Sequence, residues 1–119
     1  MTDIWQYLPE QAENIIDRAA DIILRGGVIA YPTETFYGLG ADATQDRAIR
    51  RIFAIKGRHS GNPISVIIAQ RNDLYALITE SNAAAEKLMD AFWPGPLTII
   101  FQAAKDVSPL ITAGSGKIG

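Results

Sequence analysis

The 119-residue sequence contains no cysteine and a single histidine. The first absence excludes a disulfide framework, a thiolate nucleophile and a cysteine zinc site, and the second a histidine-rich metal centre. No apolar run approaches the roughly 20 residues needed to cross a bilayer. Met1-Thr2-Asp3-Ile4-Trp5 lacks the basic-then-apolar layout of a signal peptide. A cytosolic protein without membrane contact is the simplest reading. Neither a P-loop nor a dinucleotide fingerprint occurs, so any nucleotide must be held by another design. Positive charge is not in excess either. A net charge of −2 and a pI near 5.3 argue against a dedicated nucleic-acid binder.

What is present fits one globular domain spanning residues 1–119. With 48% hydrophobic and 20% charged residues the chain can bury a real core. Ala12, Ile15, Ile16, Ala19, Ile22 and Ile23 recur at helical spacing and predict a helix over 9–25 with one buried stripe. Gly26-Gly27 supplies a left-handed exit, and residues 28–31 read as a buried strand. Thr44 is the expected N-cap of a helix over 45–56, with Ala48, Ile49, Ile52 and Phe53 on its inner face. Residues 64–69 read as a second strand. Asn72 and Ser81 are expected to cap two further helices, the latter stopped at Trp93 by Pro94-Gly95-Pro96. Residues 97–101 read as a third strand. Strands alternating with helices predict an α/β layered domain with a largely covered sheet.

Two connections carry chemistry. Residues 32–40, Pro-Thr-Glu-Thr-Phe-Tyr-Gly-Leu-Gly, follow a strand and gather three hydroxyls, a carboxylate and two glycines. Such a loop suits a small polar ligand such as an amino acid. It equally suits a tight strand-to-strand turn in which Thr33 and Thr35 bond their own backbone. Both readings stand on the residues alone. The second connection is Lys56-Gly57-Arg58-His59-Ser60-Gly61-Asn62-Pro63. Lys56 and Arg58, two apart in an extended segment, can face one anion, and their pairing suits a triphosphate. The alternative is a solvated basic loop that complements the end of the preceding helix. His59 reads as a surface loop residue, Trp93-Pro94-Gly95-Pro96 as a rigid corner with a buried indole, and Arg47, Arg50 and Arg51 as a wet helix face.

The words of the sequence carry further. Residues 26–40, Lys56-Gly57-Arg58 with Asn62-Pro63, and Trp93-Pro94-Gly95-Pro96-Leu97-Thr98 resemble the YrdC/TsaC family in content, order and spacing. The resemblance covers the chain from about Ala20 to its last residue. It implies an α/β fold, a twisted mixed sheet with flanking helices and a concave ligand cavity. It implies L-threonylcarbamoyladenylate synthase activity, a nucleotidyl transfer that joins L-threonine, bicarbonate and ATP with release of pyrophosphate. A tRNA threonylcarbamoyl-transfer complex would use the product. By position, Thr35 is implied to contact L-threonine with Thr33 and Tyr37 shaping its pocket. Lys56, Arg58 and Asn62 are implied to contact ATP, and Lys56 and Arg58 to act in catalysis. Magnesium is expected with the nucleotide, held by phosphates and water rather than by a protein cage.

Relatives of this kind continue through a strand carrying an arginine and then a serine-x-asparagine segment. The resemblance therefore implies a domain truncated at its C-terminus, with weak or no turnover by the 119 residues alone. A threonine near the ATP in some relatives is Lys117 here, which puts Lys117 among the ATP-binding positions, and a histidine of some relatives is Ile67. Two alternatives accompany this reading: a double-stranded-RNA-binding module using the basic residues, and a carbamoyl-transfer domain like that of hydrogenase maturation proteins.

Overall fold

The computed structural model describes residues 2–57 and 61–119. They divide into two compact units, Met1–Ile55 and Lys56–Gly119. The first unit opens with a single 3-10 turn, Pro9–Gln11, that runs into helix α1, Ala12–Leu24. The helix ends as the sequence predicts, with Gly26 in the left-handed region at φ 79°. Its apolar stripe differs from expectation, because no residue of α1 is buried and Ile16 and Leu24 are largely exposed. The guanidinium of Arg18 sits 4.0 Å from the centre of the Trp5 ring, which ties the leading segment to α1.

Strands β1, Ile29–Pro32, and β2, Tyr37–Gly40, form an antiparallel hairpin in the register Ile29↔Gly40 to Pro32↔Tyr37. Helix α2, Asp46–Lys56, follows and buries Ala48, Ile49, Ile52 and Phe53, the face the sequence predicts. The expected cap Thr44 stands one residue before Gln45, whose carbonyl accepts from the Ala48 and Ile49 N–H groups, and Asp42 holds the turn ahead of it. One carboxylate oxygen of Asp42 accepts from the Thr44 N–H at 2.8 Å and the Thr44 hydroxyl at 2.7 Å. The other accepts from the Gln45 amide at 2.9 Å. These bonds, led by the Thr44 hydroxyl, hold the Asp42 carboxyl below its usual range. The Gln45 amide also donates to the Leu24 carbonyl at 3.1 Å, satisfying one orphan acceptor at the end of α1.

In the second unit a 3-10 segment, Arg71–Ala76, leads to helix α3, Ala83–Phe92. Asn72 does not cap the first of these. Gln70 and Asp73 form a reciprocal capping box around it. Ser81 does not cap the second: the Asn82 side chain accepts from the Ala85 N–H at 2.9 Å. Arg71 bridges the two elements by pairing with Glu86 and Asp90 on α3, with Tyr75 Oη 3.2 Å from the Glu86 carboxylate. The helix stops where expected, at Trp93, and the Trp93–Pro94 peptide is cis. The indole is half-buried rather than buried, and its N–H donates to the Leu97 carbonyl at 2.8 Å.

The strand expected over 97–101 is reduced to β3, Phe101–Gln102, which pairs antiparallel with β4, Lys117–Ile118. A single antiparallel bridge, Ile78↔Ala103, adds a further lane. Residues 64–69 are extended but form no named strand. The Ile64 N–H bonds the Ile111 carbonyl at 3.0 Å and the Val66 N–H the Gly119 carbonyl at 2.8 Å. Between β3 and β4 lies helix α4, Pro109–Thr112, with Ser108 as its cap. Leu74, Ile78, Ala85, Met89, Phe101, Ile111 and Ile118 make the core of this unit. Mixed α/β structure with small sheets and flanking helices is the class the sequence predicts. No helix among the described residues is long and apolar enough to cross a membrane.

Candidate functional site

The hydroxyl-rich connection is the turn between β1 and β2. Pro32 ends β1 opposite Tyr37, at a pair that exchanges no N–H bonds, so its missing N–H takes nothing from the ladder. Thr33 then closes the turn on itself. Its N–H donates to the Phe36 carbonyl at 3.1 Å, and its hydroxyl donates to the same carbonyl. The Thr33 oxygen in return accepts from the Thr35 N–H at 3.3 Å. The tight-turn geometry expected from the residues is therefore present. It does not consume both hydroxyls. Thr33 has spent its hydrogen on Phe36, whereas the Thr35 hydroxyl has only a 3.4 Å contact with Thr33 Oγ1.

Every side chain from Thr33 to Tyr37 is exposed, with Phe36 at 84% and Tyr37 at 78%. A small polar ligand would thus meet an exposed hydroxyl, held by one long contact and flanked by aromatic surface. Tyr37 opens β2 opposite Pro32, at the base of the turn.

The basic connection starts at Lys56, the last residue of α2, whose side chain is exposed. Gly57 follows with φ 60°, the left-handed step that ends a helix. Arg58 and His59 lie outside the described residues. Asn62 is exposed and precedes the extended segment. Lys117 lies on β4 opposite Gln102, its side chain exposed and its N–H donating to the Ser115 hydroxyl at 3.1 Å. Ser115 itself donates to the Thr112 carbonyl at 2.6 Å. It sits between Gly114 and Gly116, both at positive φ, so this loop is set by its own local bonds.

Thr33, Thr35 and Tyr37 thus belong to the first unit, where the hairpin brings them together, and Lys56, Asn62 and Lys117 belong to the second. Arg47, Arg50 and Arg51 form an exposed face of α2, as expected. The second unit also holds a cavity of about 70 Å³ lined by Leu74, Leu77, Trp93, Leu97, Phe101 and Ile118. It is smaller than the several hundred Å³ typical of ligand sites, and none of the site residues lines it. Among the described residues no three His, Asp or Glu side chains are grouped to hold a metal ion.

Comparison with known proteins adds identity to this geometry. Residues 21–119 match the family model Sua5_yciO_yrdC, described as telomere recombination. The threonylcarbamoyl-AMP synthase of Pyrococcus abyssi is 45% identical over 96 residues, covering 81% of this chain and 28% of its own length. That of Bacillus subtilis strain 168 is 44% identical over 100 residues, covering 83% and 29%. This chain therefore spans less than a third of the curated relatives it matches.

Among solved structures, a doubly substituted P. abyssi Sua5 superimposes with a TM-score of 0.94 at 41% identity, over 99% of this chain and 34% of that one. P. abyssi Sua5 complexed with L-threonine gives 0.85 at 42% identity, over 89% and 31%. A protein from Methanobacterium thermoautotrophicum gives 0.72 at 31%, over 100% and 56%. With a family model covering most of its length and relatives well above 40% identical, this chain belongs to the Sua5/YciO/YrdC family.

Proposed function

We propose that this chain carries the L-threonine-binding turn and part of the ATP-binding surface of an L-threonylcarbamoyladenylate synthase. The observation that carries the proposal is the β1–β2 turn. It spends the Thr33 hydroxyl on its own backbone, while the exposed Thr35 hydroxyl makes a long 3.4 Å contact to Thr33 Oγ1 that a ligand can replace. A 42%-identical structure of the same fold was solved with L-threonine, which supports assigning that ligand.

In the proposed reaction the threonine amine and bicarbonate condense to a carbamate with loss of water. A carbamate oxygen then attacks the α-phosphorus of ATP. The bond from that phosphorus to the β-phosphate oxygen breaks, and pyrophosphate leaves. Lys56 and Arg58 offset the negative charge that grows on the phosphoryl oxygens, and Asn62 and Lys117 add contacts to the nucleotide. Magnesium arrives as part of the nucleotide substrate. The product is a mixed anhydride, competent to pass its threonylcarbamoyl group to tRNA through a partner complex in the cytosol.

Calorimetric titration of L-threonine into the chain and into Thr35→Val tests the assignment. The variant is expected to bind at least about tenfold more weakly, the loss of one hydrogen bond to a charged or polar ligand. Equal affinity in both, or no affinity in the parent chain, would remove the turn from the site. Pyrophosphate release with ATP, bicarbonate and L-threonine, beside Arg58→Ala and a no-threonine control, tests the chemistry. Release that ignores threonine would overturn it.

A further inference from the structure

Gly38 and Gly40 sit inside β2, where glycine costs roughly 0.5–1 kcal/mol relative to alanine and offers no side chain to pack. Backbone conformation does not require them, since neither has a positive φ. Space does. A Cβ on Gly40 would lie 2.9 Å from Tyr31 Cε1 and 3.3 Å from Cδ1. One on Gly38 would lie 3.3 Å from Tyr31 Cζ and 3.4 Å from its Oη. The Tyr31 ring is therefore laid along β2 across both glycines, filling the room two side chains would take.

Its place in the register matters. Tyr31 pairs with Gly38, and Pro32↔Tyr37, next toward the turn, is a pair that exchanges no N–H bonds, since the Thr33 N–H beyond it bonds the Phe36 carbonyl. The Tyr31↔Gly38 pair thus stands one hydrogen-bonded rung away from Thr33 and Phe36, the pair that closes the turn.

We infer that Tyr31 is a positioning residue: its ring, seated on Gly38 and Gly40, fixes the angle at which the Thr33–Thr35 turn leaves the hairpin. The consequence for ligand binding rests on the turn being the L-threonine site; the positioning itself does not. A ring displaced from Gly40 must rotate or lift β2 away from β1, and that motion is delivered to a turn held only by Thr33 and its two partners.

The test is a double-mutant cycle on the full chain with Tyr31→Ala, Gly40→Ala and the pair together, beside Tyr31→Phe, which keeps the ring. The first readout is amide hydrogen exchange at Thr33, whose N–H bonds the Phe36 carbonyl. Gly40→Ala and Tyr31→Ala should each speed it by about tenfold, and Tyr31→Phe should leave it unchanged. The pair should be no worse than Tyr31→Ala alone, because removing the ring makes room for the new methyl. Parental exchange in Gly40→Ala, or effects that simply add, would overturn the inference. Should Gly40→Ala fail to fold, Gly38→Ala, with its wider 3.3 Å clearance, substitutes in the same cycle.

The second readout is the dissociation constant for L-threonine, expected to weaken in step with Thr33 exchange and to be restored by Tyr31→Phe. If the cycle holds while the parent chain binds no L-threonine, the positioning stands and the ligand assignment falls.

Discussion

Helices α1 and α2 carry equally clear amphipathic patterns, yet α2 buries four residues and α1 buries none. The two differ also at their entrances. Asp42 gathers three donors where the chain enters α2, while Gln11 ahead of α1 makes no side-chain cap. Periodicity shows that a helix has a face. It does not say what the face meets, and only contact with another element converts an apolar stripe into stability.

The comparison is broken or sharpened first by truncating matched isoleucines. Ile49 on α2 is 2% exposed and Ile16 on α1 is 59% exposed. Ile49→Ala should cost about 2–5 kcal/mol, from lost burial and the cavity left behind. Ile16→Ala should change stability by less than about 0.5 kcal/mol. Urea unfolding followed by helical circular dichroism measures both. Equal costs would mean the stripe of α1 is packed as tightly as that of α2.

The same contrast explains what the sequence made legible. The end of α1 at Gly26 and the stop of α3 before Pro94 follow from a residue's own chemistry and were readable. The strand expected over 28–31 was also found, but as Ile29–Pro32, including Pro32, and half-exposed rather than buried. The caps were not. Asn72 and Ser81 each stand within two residues of the side chain that does the work, Gln70 or Asn82. Reach and direction decide between such neighbours, and one-dimensional spacing carries neither. The stretches 64–69 and 97–100 failed as strands for another reason. A strand needs a partner, and the partners of the first, Ile111 and Gly119, are far along the chain.

For the site, the residues of the turn could be named from the sequence. That the Thr33 hydroxyl turns back to the Phe36 carbonyl could not be read there. The seat of the Tyr31 ring was equally hidden, since nothing in the linear pattern lays it across two glycines of the next strand.

A smaller effect is expected at the helix entrances. Asp42→Ala should cost about 1 kcal/mol, as for lost N-terminal side-chain acceptors elsewhere, while Gln11→Ala should leave stability unchanged within error. Asp42 also adds a pH dependence. Its folded-state pKa lies below the ordinary value of 3.8, so the folded state favours the charged form. The stabilisation is fully present above that value and is lost as pH falls through the lower, folded-state pKa. Asp42→Asn should flatten that acid limb. An unchanged limb would assign it to other carboxylates.

The smallest effect returns to α1. Arg25 Nε and Asp21 Oδ1 form an i, i+4 pair at 3.0 Å with both side chains more than half exposed. Water screens such a pair, and holding two long side chains in one geometry costs entropy, so it contributes about 0.3–0.5 kcal/mol at most. The arginine also stands where the helix presents unpaired carbonyls, and a cation there gains from the dipole whether or not Asp21 is present. Asp21→Asn should therefore lose less than Arg25→Ala, and both losses should shrink with added salt as the Debye length contracts. If Asp21→Asn costs as much as Arg25→Ala, the pair rather than the helix end holds the exit of α1. The contrast with α2, whose entrance and face are both fixed by partners, would then narrow at this one point.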